Sequence, residues 1–356
     1  MTRRLYINGR FLTKPVTGVQ RYSHELLNAL DSLNPQVELL CLAPRQDFDH
    51  PDWQHIRLEQ VGRNRDNLWE QIDLPKALKG GLLFSPSNVG PAFFKNQVVT
   101  IHDASVYAVP GAYQWQFKLK YRFIFQRMTR HARLILTDSQ FSREELSRWL
   151  GQPQERFQVI PLGGDHLEPL PADETLLEQN GLMDRKFLLT VASRSPHKNL
   201  LRLENVLLAL DQDILLVEVG GDYSRVFQAA SLQDNSKRII RPGSVSDPQL
   251  KALYQHATGF ILPSLYEGFG LPVLEAMSLG CPVLCSKAAS LPEVGGEAVS
   301  YFDPLRVEDM SAAITRFLGD PSLQADLRQR GYQRAAGFTW QRCAQQTLNL
   351  LLPLLD

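Results

Sequence analysis

The chain alternates short apolar runs with longer segments of helical periodicity. In the first half, RLYINGRF (4–11), VELLCLAP (37–44), LLFSPS (82–87), VVTIHD (98–103), RLILTDS (133–139) and FQVIPLG (157–163) read as short buried strands closed by Pro, Gly or polar residues. Between the first two, Val19, Tyr22, Leu26, Leu27 and Leu30 repeat at helical spacing. A second set follows: KFLLTVAS (186–193), DILLVEVG (213–220), ATGFILPS (257–264), CPVLCS (281–286) and AVSYFD (298–303). Helical stretches such as NLLRLENVLLAL, DPQLKALYQHA and LPVLEAMSLG separate them. Strands alternating with helices imply parallel βαβ units, buried on both faces. The pattern predicts an α/β chain of two doubly wound, Rossmann-like domains facing across a cleft. Residues 1–165 form the first, 166–184 a Pro- and acid-containing linker, 185–338 the second, and 339–356 a C-terminal helix. In such sheets ligands bind beyond the carboxyl ends of the strands.

The most informative stretch is PSLYEGFGLPVLEAMSLGCPVLCSKAASLP, residues 263–292. Gly268 and Gly270 precede a helix expected to start near Leu271 or Pro272, where proline suits the first turn. A helix start reached through glycines exposes backbone N–H groups and favours an anion. Glu275 then lies about one turn inside, where a carboxylate can accept two hydrogen bonds from a vicinal diol such as a ribose.

This string resembles the E-G-F-G-L-P-x-L-E-A-M signature of retaining, GT-B-fold nucleotide-sugar glycosyltransferases of the family-four type, the group 1 glycosyltransferases. TGVQRY (17–22), VVTIHD, ILTDSQFSREEL (135–146), ASRSPHKNL (192–200), RPGSVSDPQLKALYQHA (241–257) and SLPEVGGEA (290–298) extend the resemblance over nearly the whole chain. Thr17 stands where the family often has glycine. The HKN and VQRY forms look most like mannosyltransferase-type members that build bacterial polysaccharides.

The resemblance implies a sugar nucleotide as donor, GDP-mannose first, with a UDP-sugar such as UDP-glucose as the alternative. The acceptor implied is a lipid-linked or oligosaccharide one. No D-x-D motif is placed for a metal, so no metal or other cofactor is expected and the protein must supply the cations that hold the diphosphate. Arg194 and Lys198, after the strand KFLLTVAS, are the candidates: guanidinium grips phosphate oxygens bidentately and ammonium is a compact charge. By resemblance Glu267 contacts the sugar hydroxyls and Glu275 the ribose. The backbone of Gly268, Phe269, Gly270 and Leu271 meets sugar and phosphate, and Gly243, Ser244 and Val245 flank the base. Gly18 lets its loop approach the donor, His102 contacts the donor sugar, and Asp103 either orients the site or caps its strand end. A same-face mechanism, in which the departing phosphate oxygen helps accept the acceptor proton, is the one usually proposed for such enzymes. A sugar-nucleotide hydrolase or epimerase and a catalytically silent binding module of the same fold are the competing classes.

Charge refines the picture. Lys+Arg and Asp+Glu are 38 each, which excludes a bulk-basic nucleic-acid binder. Residues 1–165 hold 21 basic and 16 acidic side chains, leaving 17 and 22 for 166–356, a split of +5 and −5. No acid occurs in 104–137, where six cations interleave with aromatics from Tyr113 onward. Locally this alternates like a strand; the family resemblance favours a helix, with Phe117, Tyr121, Phe125 and Met128 on one face. A basic, aromatic helix over 113–133 suits an anionic membrane surface, with a core-packed helix bearing a solvated basic face as the equal alternative. Four cysteines make no disulfide framework, and Cys281 and Cys285 lack the partners of a zinc site. No apolar signal segment and no membrane span is evident in the sequence. The expectation is a cytoplasmic protein, with peripheral contact at the inner face of the cytoplasmic membrane as one of those two equal readings.

Overall fold

A computed structural model describes residues 3–221 and 237–355. The chain divides into two compact units: Met1–Tyr107 with Leu119–Gly163 and Trp340–Asp356, and Ala108–Lys118 with Gly164–Thr339. Each is built on a parallel sheet, which places the carboxyl ends of its strands on one edge.

In the first unit the described strands are β1 (Arg4–Asn8), β2 (Glu38–Pro44), β3 (Ile56–Val61), β4 (Leu82–Ser85), β5 (Gln97–Thr100), β6 (Leu134–Thr137) and β7 (Phe157–Val159), in the order β3-β2-β1-β4-β5-β6-β7. In the second they are β8 (Phe187–Val191), β9 (Leu215–Val219), β10 (Ile239–Gly243), β11 (Gly259–Leu262), β12 (Val283–Ser286) and β13 (Val299–Phe302), in the order β10-β9-β8-β11-β12-β13. The chain direction across the sheet reverses between β1 and β4 and again between β8 and β11. These are the doubly wound switch points beside which ligands bind.

The central strands are buried on both faces, which is why they read as unbroken apolar runs. The sequence pattern missed the edge strands β3 (IRLEQV) and β10 (IIRPG). Edge strands are half exposed and carry charge, so Arg57, Glu59 and Arg241 break the run. The second core gathers Leu188, Leu216, Ile261, Leu284, Phe302 and Phe317 between sheet and helices. Residues 164–184 belong to the second unit, where Leu167 and Leu177 are fully buried.

The helix Trp340–Leu351 lies against the helix Gly18–Ser32 within the first unit, with the Tyr22 and Trp340 rings 6.1 Å apart. The Arg133 guanidinium donates to the Leu354 carbonyl at 2.7 Å. At the other end of Gly18–Ser32, the Asp31 carboxylate accepts backbone N–H groups of Gln54, His55 and Ile56 at 2.9, 2.7 and 2.7 Å. That buried carboxylate fixes where β3 begins.

Replacing Asp31 with Ala strands three backbone donors and should lower unfolding free energy by about 3 kcal/mol. Denaturant titration checks it; a midpoint equal to the parent's would contradict the anchoring role.

Candidate active site

The second unit assembles its site at the β8/β11 switch. After β8 the chain makes a tight turn, Pro196–Lys198, and Asn199 takes the left-handed conformation at φ 59°, which asparagine tolerates better than most residues. The Asn199 amide donates to the carbonyls of Pro263 and Pro304 at 3.1 and 3.0 Å, and the Leu265 N–H to the His197 carbonyl at 2.8 Å. The loop after β8 is thereby stitched to the loop after β11.

Those stitches bring Lys198 and Glu267 together. The Lys198 ammonium bonds both carboxylate oxygens, at 2.8 and 2.9 Å, and the Ser264 hydroxyl donates to Oε1 at 2.6 Å. Burial alone would raise the Glu267 pKa, but Lys198 and these hydrogen bonds bring it below the usual carboxylate value. Burial, then the adjacent Lys198 charge, push the His197 pKa down to about 3. His197 is therefore neutral and adds no cation. Arg194 is half buried on the same loop and makes no ion pair among the described residues, so its charge is uncommitted.

Beyond Glu267, the Ser290 hydroxyl bonds the carbonyls of Glu267 and Phe269 at 3.0 and 2.8 Å, fixing the course of the Gly268–Phe269 loop. Gly270 then caps the helix Leu271–Ser278 at φ 105°, where a Cβ would stand 2.6 Å from Leu291. Only glycine fits there. Glu275, inside this helix, is buried; Tyr254 donates its hydroxyl to Oε2 at 2.8 Å and His166 Nε2 lies 3.3 Å from Oε1. Burial, then the neighbouring Glu275 carboxylate, raise the Tyr254 pKa well above 10, which keeps the phenol a donor.

Gly243 closes β10 at φ 79° and its carbonyl accepts the Gly220 N–H at 3.0 Å, while Ser244 is exposed and Val245 half buried. Two residues earlier, Arg241 is clamped between Glu218 and Glu204, each at 2.9 Å. Burial and the facing Glu204 push the Glu218 pKa up to about 7.

The first unit places Gly18 at the start of Gly18–Ser32, where a Cβ would meet nothing within 4 Å. No packing contact requires glycine there. His102 follows β5, and its polar atoms are all engaged. Nδ1 faces Asp138 at 2.7 Å, Nε2 the Pro86 carbonyl at 3.1 Å, the backbone N–H meets Asn88, and the carbonyl accepts from Ser142. Tyr22 stacks edge-on at 4.6 Å. Both ring nitrogens are thus engaged within the first unit. Asp103 accepts the Ser105 N–H at 2.7 Å, capping the turn that follows. The 113–133 segment is helical over Trp115–His131; Phe125 and Met128 are buried, while Trp115, Leu119 and Phe123 are exposed.

Sequence reasoning did not find Ser264, Tyr254, His166 or Asp138 as partners of these residues. Ser264, Tyr254 and Asp138 stood inside recognised strings, but a hydroxyl or carboxylate that orients another side chain leaves no spacing of its own. Among the described residues no group of three His, Cys, Asp or Glu is arranged to hold a metal, and no helix is long and apolar enough to cross a membrane.

The family comparisons cover both units. Residues 16–166 match the Glycosyltransferase Family 4 model and 173–334 the model described as Glycosyl transferases group 1. The chain is 31% identical to the O-antigen chain mannosyltransferase B of Escherichia coli, over 94% of this chain and 96% of that one. It belongs to the group 1 glycosyltransferases. An O-antigen chain mannosyltransferase of Salmonella typhimurium is 23% identical across 88% of this chain and 93% of its own. Among solved structures, sucrose-phosphate synthase from Thermosynechococcus elongatus superposes with a TM-score of 0.75 at 20% identity, covering 99% of each chain. That likeness establishes the GT-B fold for this glycosyltransferase.

The His102–Asp138 pair makes a pH prediction. Burial alone would lower the His102 pKa, but the Asp138 charge and hydrogen bond raise it above 6.5. The stabilisation is complete below that ordinary value and drains as pH rises through the raised one. Thermal unfolding of the parent and His102→Gln from about pH 5 to about pH 9 should show their gap narrowing as pH rises past the ordinary histidine value; a constant gap contradicts this.

Proposed function

We propose that this glycosyltransferase moves mannose from GDP-mannose onto a lipid-linked or oligosaccharide acceptor during bacterial surface-polysaccharide synthesis, with retention of configuration and without a metal. The donor sugar is argued from near-full-length similarity to two O-antigen chain mannosyltransferases. The reading of the site rests on one observation: Lys198, on the loop after β8 that also carries Arg194, meets Glu267 at the β8/β11 switch.

The diphosphate is the leaving group, so negative charge grows on its oxygens as the glycosidic bond breaks. Lys198 and Arg194 supply the compensating charge already in place, and preorganised charge is often the largest catalytic contribution. Glu267, ionised and held by Lys198 and Ser264, accepts hydrogen bonds from sugar hydroxyls. A carboxylate beside the reacting carbon also favours its cationic character. Glu275, oriented by Tyr254, holds the ribose, and residues 243–245 flank the base. The departing phosphate oxygen accepts the acceptor proton, which requires no general base from the protein. The first unit handles the acceptor through the loops after its strands.

The reading has two checks. A panel of nucleotide sugars scored by thermal shift and slow hydrolysis should give GDP-mannose the largest stabilisation, since a ligand bound only to the native state raises its melting temperature. A larger shift with UDP-glucose would replace the donor, and rapid acceptor-independent release of free sugar would make the protein a hydrolase. Lys198→Ala and Glu275→Ala should each cut turnover about 100-fold or more with the fold intact by circular dichroism, and EDTA should leave the parent's rate unchanged. Near-parental activity in both variants would sink the site assignment.

A further inference from the structure

β9 is an interior strand, buried along its whole length, yet its run LLVEV carries an acid. A carboxylate in such a place must be paired. Glu218 meets the Arg241 guanidinium at 2.9 Å, and Arg241 also reaches Glu204, on the helix Leu200–Ala209, at 2.9 Å. The Glu204 and Glu218 side chains are only 6% and 4% exposed, and that of Arg241 14%, so the three charges are mostly closed to solvent.

The backbone at Arg241 is irregular. β10 is the edge strand, and Ile240 lies opposite Val217 while Gly243 lies opposite Val219, so three steps along β10 match two along β9. Such a bulge bends its strand and re-aims a side chain, and Pro242, with no N–H to offer, is tolerated there. Directly after the bulge Gly243 takes φ 79°, and its carbonyl accepts the Gly220 N–H at 3.0 Å. The course of Ser244 and Val245 therefore starts from a bulge whose side chain is tied to both β9 and a helix.

Two carboxylates share one guanidinium, which leaves a buried negative charge uncompensated. Among the described residues Glu218 Oε1 is buried and accepts no hydrogen bond. The charged groups acting on Glu218 there are Glu204 from the helix and Arg241 from β10; from β8 its register partner is Thr190, a buried hydroxyl. Burial, then Glu204, push the Glu218 pKa up to about 7, so a proton neutralises the cluster below that value.

We propose that Arg241, held by Glu204 and Glu218, is a positioning residue that sets the 243–245 turn against the donor's base, and that donor affinity falls when this cluster loses its one proton. Protonated, the cluster is neutral and the bulge is held from both sides. Ionised, two carboxylates repel each other around one guanidinium in a place mostly closed to solvent, and the turn loosens. This deepens the donor side of the mannosyl-transfer reading and rests on it for the place of the base.

Calorimetric titration of GDP-mannose and UDP-glucose into the full chain tests it at about pH 6 and about pH 8, between which the diphosphate of a nucleotide sugar takes up no proton. Whichever of the two binds the parent should bind about threefold or more weakly at the higher pH. Glu218→Gln, with an amide in place of the protonated acid, should bind as the parent does at the lower pH and show no such fall. Arg241→Gln should weaken binding about tenfold at both, with thermal unfolding as the check on folding; if it does not fold, the Glu218→Gln profile decides alone. A parent that binds equally at both values, a Glu218→Gln variant that weakens with pH as the parent does, or a folded Arg241→Gln variant with parental affinity would overturn the proposal and leave the donor reading standing. Binding of neither nucleotide sugar would overturn the donor reading and this proposal with it.

Discussion

The ion pair between Lys198 and Glu267 is the contact on which the proposed chemistry of the second unit depends. A lysine beside a glutamate is ordinarily a solvated pair of little worth. This one is mostly shielded, with side chains 20% and 11% exposed, and carries a third bond from Ser264. It holds a cation and an anion at fixed places, the two charges that the proposed transfer uses at a leaving diphosphate and a developing positive sugar carbon. Removing either partner leaves the other uncompensated, so the pair constrains both loops at once. Asn199 and the Leu265 N–H tie those loops together independently of the charges.

The same edge of the sheet explains why so many carbonyls, hydroxyls and glycines cluster there. Parallel strands end together, and each terminating loop must satisfy its own backbone. Ser290 does so for Glu267 and Phe269, and Gly270 accepts a backbone geometry that a side chain would bar. In the first unit the corresponding edge is closed by His102, whose ring and backbone bind Asp138, Pro86, Asn88 and Ser142. Tyr22 joins that cluster to Trp340, so the helix Gly18–Ser32 links the His102 loop to the chain's last helix.

The architecture was legible because buried parallel strands must be apolar on both faces, and β2, β4, β5, β6, β8, β9, β11 and β12 announce themselves that way. The edge strands β3 and β10 did not, because half their surface meets water. The helix start at Leu271 was readable from Gly270 and Pro272, and the carbonyl-end position of Lys198 from the apolar strand before it. What the sequence left open was partnership. Nothing in the spacing says that Lys198 reaches Glu267 across 69 positions, that Tyr254 orients Glu275, or that His102 spends both nitrogens internally. Such pairs follow from strand order, and strand order is fixed by tertiary packing.

A double-mutant cycle on donor affinity tests the central claim most directly. Isothermal titration of GDP-mannose into the parent, Lys198→Ala, Glu267→Ala and the double variant measures whether the two side chains act as one unit. Contacting residues usually couple by about 0.5–3 kcal/mol, and the account predicts a coupling of at least about 1 kcal/mol, with the double variant weaker than the parent. Additive effects, or a double variant that binds GDP-mannose as the parent does, would contradict it.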